Sequence, residues 1–428
     1  MTFISTRDPE GRQYGLAEAL RLGPAPDGGL FMPAHIDRLP GRFFDTLPGR
    51  PLVEIAADVL DHLTPGELDR NTWLELATDA LDFEIPLVKV HERLHVLEIF
   101  RGPTLAFKDV GARFLARLLA LTQPVGRRAT VLVATSGDTG GAVAQAFYGV
   151  EGVDVAILYP EGKVSPLQER QFTTLGKNVR AFAVNGVFDD CQRLVKEAFA
   201  DRELSAQAGL TSANSINVGR LLPQAVYYFH AVAQLPEGAG PPLFSTPSGN
   251  FGNLTAGLLA RALGLDARFI AATNVNDVVP VYLETGHFEP RASLRTLSNA
   301  MDVGHPNNFE RILHLYGQDY DAISADVSGF RVDDAATRET IRRIENETGY
   351  LLDPHTAVGW LAIEELMPDD IDAGIVLGTA HPAKFADLVE PILDRPVELP
   401  ERLARHLEKP VLSVEIEPKL EALRDHLL

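Results

Sequence analysis

The sequence predicts an α/β fold of two open lobes, each with parallel strands covered by helices, together with an N-terminal, mostly helical domain. Three observations predict it. From about residue 96, short apolar runs of strand length alternate with segments of helical spacing. The strand runs are apolar almost throughout, as befits strands covered on both faces. Twice, a strand run leads through a small polar loop with glycines into a helix, at VATSGDTGGA (133–142) and STPSGNFGNL (245–254).

In chain order, residues 1–95 are rich in Pro and Gly, show helical patterning at 51–63 and 64–81, and read as a separate N-terminal domain. The first lobe, 96–240, has strand runs at 129–134 (ATVLVA), 153–158 (VDVAIL) and 179–184 (VRAFAV), with helical spacing at 189–200 and 220–235. It is expected to hold a mobile small subdomain. The second lobe, 241–428, has strand runs at 242–246 (PLFST), 268–273 (RFIAAT) and 373–377 (AGIVL). Its helices are expected at 333–348 and 355–367, after a stretch to about 330 that reads as irregular.

Composition narrows the function. With 39 Lys and Arg against 59 Asp and Glu the net charge is −20, which argues against a nucleic-acid or anionic-membrane partner. Any anion must be met by a local site. Cys191 is the only cysteine, so neither an intrachain disulfide nor a cysteine-cluster metal site is available, and no metal is expected. The start, MTFISTRDPEGRQYG, lacks the basic and apolar segments of a signal peptide. No apolar run approaches the ~18 residues of a membrane span. A cytoplasmic protein is expected.

The two loops carry the first chemical hint. Their glycines let the backbone approach a ligand, and the following helix N-terminus offers free N–H groups to an anion. Either loop alone reads equally as a tight turn with a Ser, Thr or Asp helix cap. Two in one chain favour a ligand site at strand C-terminal ends. Neither fits GxxxxGK[ST], GxGxxG with a ribose-binding acid, or G-x-S-x-G.

Lys108, in RGPTLAFKDVGARFL (101–115), follows the apolar run Leu105, Ala106, Phe107 and opens a helical segment. Alone it reads as a lysine whose stem lies over the core or which pairs with Asp109. Burial, however, lowers a lysine pKa and yields the neutral amine that Schiff-base chemistry requires. Asp109 would oppose that shift unless it turns away. A lysine before a helix, a polar loop ~30 residues on and a Gly/Asn anion loop later together describe a pyridoxal 5'-phosphate (PLP) site.

Longer motifs then carry a resemblance. GPTLAFKDVGARFLARLL, ATSGDTGGAVAQAF, YPEGKVSPLQERQ, SANSINVGRLLPQAVYYF, PSGNFGNLTAGL, ATNVNDVVP and SNAMDVGHPNNFERIL resemble motifs of the threonine synthase family, as do STR and APDGGLFMP near the start. The similarity covers essentially the whole chain and resembles the longer branch with an extra N-terminal domain. It implies the tryptophan synthase β-like (fold type II) PLP arrangement, with PLP as cofactor and O-phospho-L-homoserine as substrate, converted with water to L-threonine and phosphate. It also implies no partner beyond that small molecule, with neither nucleic acid nor membrane, in a monomer or homodimer.

By the same resemblance, Lys108 matches the Schiff-base lysine and main proton carrier. Gly249, Asn250, Phe251, Gly252 and Asn253 match the loop that holds the cofactor phosphate through backbone N–H groups. Asp138 matches the position, often Asn in related enzymes, that approaches the ring hydroxyl; an ionised Asp can only accept there. Thr379 matches the hydroxyl residue at the pyridine nitrogen. For the substrate, Ser136, Gly137 and Thr139 are expected at the carboxylate, and Lys163, Asn214 and Arg220 at the phosphate. Asp277 and residues 299–302 are expected to shape the cleft. Two alternatives stay open: another type II PLP lyase acting on a related phosphorylated amine or amino acid, and a PLP- or phosphometabolite-binding protein without turnover.

Overall fold

Two parallel sheets form the framework of the protein, whose computed structural model describes residues 2–124, 126–135 and 137–428. The larger runs in the order Val327–Arg331, Arg268–Thr273, Leu243–Pro247, Gly374–Gly378, Leu94–Glu98 and Leu87–Lys89, parallel except for the last pair. The smaller runs Val414–Ile416, Val179–Val184, Val153–Pro160, Ala129–Ala134 and Leu210–Thr211, parallel throughout. Ala129–Ala134, Leu243–Pro247 and Gly374–Gly378 are buried at every residue, which explains their unbroken apolar character.

Sheet membership crosses the expected boundaries of 1–95, 96–240 and 241–428 at two strands. Leu94–Glu98 pairs with Gly374–Gly378 in the larger sheet, and Val414–Ile416 returns to Val179–Val184 in the smaller one. Parallel strands need long crossovers, so sheet neighbours need not be chain neighbours. Two helix expectations also change. The segment 64–81 forms its helix only from Arg70 to Ala80, where Asp69 accepts from the Thr72 N–H at 2.9 Å. The segment 220–235 divides at Pro223 into Val218–Leu221 and Gln224–Ala233. The stretch before 330 holds Val278–Thr285, Phe309–Leu315 and Tyr320–Asp326 as well as Val327–Arg331.

The N-terminal layer shares its core with the sheets: one apolar cluster joins Phe3, Trp73, Phe114, Val131, Phe244 and Ile375. Trp73 is fully buried, and truncating such a side chain to Ala costs about 3–5 kcal/mol. Strand Phe3–Ser5 pairs with Phe31–Pro33, and Gly29 lies so close that an added Cβ would come within 2.3 Å of Ser5 Oγ. Buried Arg311 fastens this layer to the site, donating to the carbonyls of Phe31 (3.1 Å), Ser215 (3.0 Å) and Ile216 (2.7 Å). Among the described residues no helix is long and apolar enough to cross a membrane.

Candidate active site

The loops that follow Ala129–Ala134, Leu243–Pro247 and Gly374–Gly378 converge on one cavity of about 630 Å³. Crevices at strand C-terminal ends are where open α/β sheets bind ligands.

Lys108 is the first residue of helix Lys108–Thr122. The turn before it is pinned to the segment after Gly374–Gly378: the Phe107 N–H donates to Thr379 O at 2.8 Å, and the His381 N–H to Leu105 O at 3.1 Å. Leu105 has a left-handed φ of 56°, a strained state for leucine that the surrounding bonds enforce. The Lys108 side chain reaches the cavity, where, among the described residues, its Nζ has no hydrogen-bond or ion-pair partner; the Phe107 ring lies 5.9 Å away. Burial draws its pKa down to about 8, with Asp138 opposing and Lys384 and Arg220 assisting. The positive end of its own helix acts in the same direction.

Asp109 turns away from that amine. Its carboxylate accepts from the Thr104 N–H at 2.8 Å and from Thr104 Oγ1 at 2.7 Å. Burial raises its pKa to about 6, with the Thr104 bonds holding it down. Gly102 makes room for the arrangement, since a Cβ there would lie 2.5 Å from Asp109 Oδ2.

The first loop is wrapped around Thr135, whose Oγ1 accepts from the N–H groups of Gly137 (3.0 Å) and Gly140 (2.8 Å). Gly137 has a φ of 153°, and a Cβ there would come within 2.6 Å of Gln168 Oε1. Asp138 opens helix Asp138–Phe147; its Oδ1 accepts from Lys384 Nζ at 2.6 Å and Gln168 Nε2 at 2.9 Å. Burial alone would push this carboxyl up, yet Lys384 and Lys108 together hold it well below the ordinary carboxylate range.

The second loop enters helix Gly252–Ala262 through Phe251, at a left-handed φ of 61°. Its side chains are occupied internally: Asn250 donates to Ser215 Oγ (2.5 Å) and accepts from the Asn307 N–H (2.6 Å), and Asn253 donates to Pro247 O (2.7 Å). The backbone is not. Among the described residues the N–H groups from Gly249 to Asn253 have no intramolecular acceptor. Such a row beside a helix N-terminus fits a phosphate. A Cβ on Gly249 would lie 2.7 Å from Ala300 O and 2.8 Å from Met301 Cα. The cradle and the unpartnered amine both fit PLP.

Comparison with known proteins bears this out. Residues 86–378 match the family described as Pyridoxal-phosphate dependent enzyme, 2–81 match Threonine synthase N terminus, and 356–427 match Threonine synthase, C-terminal. The threonine synthase of Haemophilus influenzae is 47% identical over 430 residues, covering 100% of both chains, and that of Escherichia coli K12 is 46% identical over 418 residues, 96% of each. The chain belongs to the threonine synthase family. Among solved structures, threonine synthase from Escherichia coli superposes with a TM-score of 0.93 at 44% identity, covering 100% of this chain and 99% of that one. PLP-bound threonine synthase from Brucella melitensis gives 0.92 at 36% identity, covering 100% and 98%.

In this member of the threonine synthase family, the residues expected from the sequence mostly converge. Lys108, Asp138, Thr139, Asn214, Arg220 and Thr379 all line the cavity, as does the loop 249–253. Arg220 is buried, donates through Nη1 to Ala213 O at 2.6 Å, and has no partner for its Nε among the described residues. Burial pulls its pKa down to about 10, opposed by Asp109. Gly137, expected at the substrate carboxylate, does not line the cavity, and its N–H is taken up by Thr135 Oγ1. Lys163 does not join the cavity: it follows strand Val153–Pro160 on an exposed turn. Ser136 lies outside the described residues. Asp277 does not line the cavity, whereas residues 299–302 do.

Sequence reasoning missed two residues, His355 in the cavity lining and Lys384 behind it. Lys384 is buried in the turn Pro382–Phe385 and reaches Asp138 from the opposite lobe. His355, at the start of helix Pro354–Leu366, holds Asp353 Oδ1 through Nδ1 at 2.8 Å and accepts from the Ala300 N–H through Nε2 at 3.1 Å. Their only trace in the sequence is a polar residue beside a helix start.

Proposed function

We infer that this chain is a PLP-dependent threonine synthase, converting O-phospho-L-homoserine and water to L-threonine and phosphate. One observation carries the reading: a lysine amine and a row of N–H groups, unpartnered among the described residues, face one cavity in a chain similar, end to end, to threonine synthases. Bound PLP would supply an electron sink, making protons on the substrate carbons removable. The chain's own residues supply everything else.

Lys108 Nζ would hold the cofactor through its aldehyde carbon and, when free, carry protons to and from the substrate's Cα, Cβ and Cγ. A pKa drawn down to about 8 leaves part of the amine neutral near neutral pH, as both tasks require. The N–H groups of 249–253 would receive the cofactor phosphate. Thr379 would meet the pyridine nitrogen with a hydroxyl, which does not enforce protonation there as a carboxylate would. Asp138, held ionised, would accept from the ring hydroxyl. Thr139, which lines the cavity, belongs at the substrate carboxylate in this reading. Arg220 and Asn214 belong at the substrate phosphate, where the guanidinium fork offers paired donors. A cytoplasmic setting is part of the same reading, supported by the single, buried cysteine.

Incubation with O-phospho-L-homoserine tests it. Threonine and phosphate should appear in equal amounts. A keto acid and ammonia without threonine would replace this reading with that of a related phospholyase.

A further inference from the structure

Lys384 stands behind the cavity lining, against Asp138, and nothing in the reaction as described uses it. Its side chain is enclosed, 2% exposed, and its ammonium makes two contacts: Asp138 Oδ1 at 2.6 Å and Thr104 O at 2.9 Å. Buried ion pairs contribute little net stability, because desolvating two charges offsets their attraction. A buried lysine kept at such a site therefore calls for a reason beyond stability.

The contacts supply one. Lys384 belongs to the turn after strand Gly374–Gly378 of the larger sheet, whereas Asp138 opens the helix after strand Ala129–Ala134 of the smaller sheet. The pair thus bridges the two lobes at the first loop. It also continues into the Lys108 turn: Thr104 O accepts from Lys384, while Thr104 N and Oγ1 bind Asp109. Gln171 Nε2 reaches the same carbonyl at 3.3 Å. One ammonium therefore fixes Asp138 and the turn that presents Lys108.

Among the described residues, three charged groups act on the Lys108 amine. Asp138 faces it from the first loop, Lys384 from the turn 382–385, and Arg220 from helix Val218–Leu221. Asp109, next in its own helix, is turned to Thr104, and His355 stands beside Asp138 from helix Pro354–Leu366. Among the described residues, Asp138 is the carboxylate whose charge favours Lys108 as an ammonium.

We propose that Lys384 is a positioning residue: as the standing counter-ion of Asp138, it keeps that carboxylate from holding Lys108 charged, so the amine stays available to the cofactor. The inference rests on the reading of Lys108 as the cofactor-holding amine. Without Lys384, Asp138 would turn its full charge on Lys108 and the ammonium would persist to higher pH. Without Asp138, the uncompensated Lys384 would push Lys108 the other way. With neither, the two effects would largely cancel.

The experiment measures the protonation of Lys108 directly, by acetic anhydride labelling of the cofactor-free protein across pH with peptide mass spectrometry. Lys384→Met should move the Lys108 labelling midpoint up by about one pH unit or more. Asp138→Asn should move it down, Lys384→Arg should leave it near the parent value, and Lys384→Met combined with Asp138→Asn should bring it back. Should Lys384→Met fail to fold, Asp138→Asn and the double variant carry the test. A midpoint that stays at the parent value in Lys384→Met or in Asp138→Asn, with unchanged circular dichroism, overturns the proposal. The labelling needs no turnover, so absence of threonine formation by the parent would count against the function reading alone.

Discussion

Replacing Gly249 by Ala tests the phosphate cradle through a steric argument. The added methyl would sit 2.7 Å from Ala300 O and 2.8 Å from Met301 Cα. Both are backbone atoms, so no side-chain rotation relieves the contact, and the shortfall is about 0.7 Å against ordinary contact at 3.4 Å. The opposing segment is itself anchored: the Ala300 N–H donates to His355 Nε2 at 3.1 Å, and the Met301 N–H to Ser298 O at 2.9 Å. The 249–253 loop must therefore move, and its N–H row moves with it. Overpacking of this kind costs about 1–3 kcal/mol, which corresponds to a cofactor affinity weaker by roughly 5- to 150-fold. Absorbance titration of the cofactor-free protein with PLP reads this directly. Gly252→Ala is the comparison, because a methyl there would meet nothing nearer than Asn308 Nδ2 at 3.5 Å and Ser215 Cβ at 3.6 Å. A loss at Gly252 would report on the cofactor, whereas a loss at Gly249 would report on the chain. Parental affinity in Gly249→Ala would refute the cradle geometry.

Arg220→Lys should raise KM for O-phospho-L-homoserine about 10- to 100-fold while the protein still retains cofactor, since a point charge replaces a fork of donors; steady-state kinetics with an absorbance check measures both. Arg311→Met should destabilise the protein by about 3 kcal/mol or more, because three carbonyls and Asn308 Oδ1 lose their donor; urea unfolding reads it. The contribution of Lys108 to the stability of the cofactor-free protein should grow as pH rises from about 8 toward 10.5. Lys108 has a folded pKa below its unfolded value, so its contribution is present above the unfolded pKa and lost as pH falls through about 8. The difference in urea midpoint between the parent and Lys108→Met, followed across that window, should show it, with a limit on the order of 3 kcal/mol.

Legibility in the sequence followed the range of the forces involved. Strands 129–134, 179–184 and 268–273 were readable to the residue because each run is largely apolar and gives way to a polar residue, Thr135, Asn185 or Asn274. Leu94–Glu98 and Val414–Ile416 were not: the first carries His95 and Glu98, and the second is a short strand with exposed Val414 and Glu415. Both owe their place to a partner strand rather than to their own pattern. At the site, Lys108 and the loop 249–253 were readable from local motifs. Lys384 was not, because its meaning lies in Asp138, which only the fold brings to 2.6 Å. The exposed turn at Lys163 shows the converse, since a basic residue after a strand need not face the ligand. Asp109 needed coordinates as well, because only Thr104 reveals which way its carboxylate turns.

The central claim is that Lys108, and not its neighbour Lys384, is the amine that holds the cofactor. Borohydride reduction of the PLP-loaded protein, followed by peptide mapping, fixes the cofactor to whichever lysine carries it. The structure predicts the added mass on the peptide containing Lys108, because among the described residues its amine is unpartnered while Lys384 is committed to Asp138 and Thr104. Mass on the peptide containing Lys384, or on any other lysine, would contradict the account.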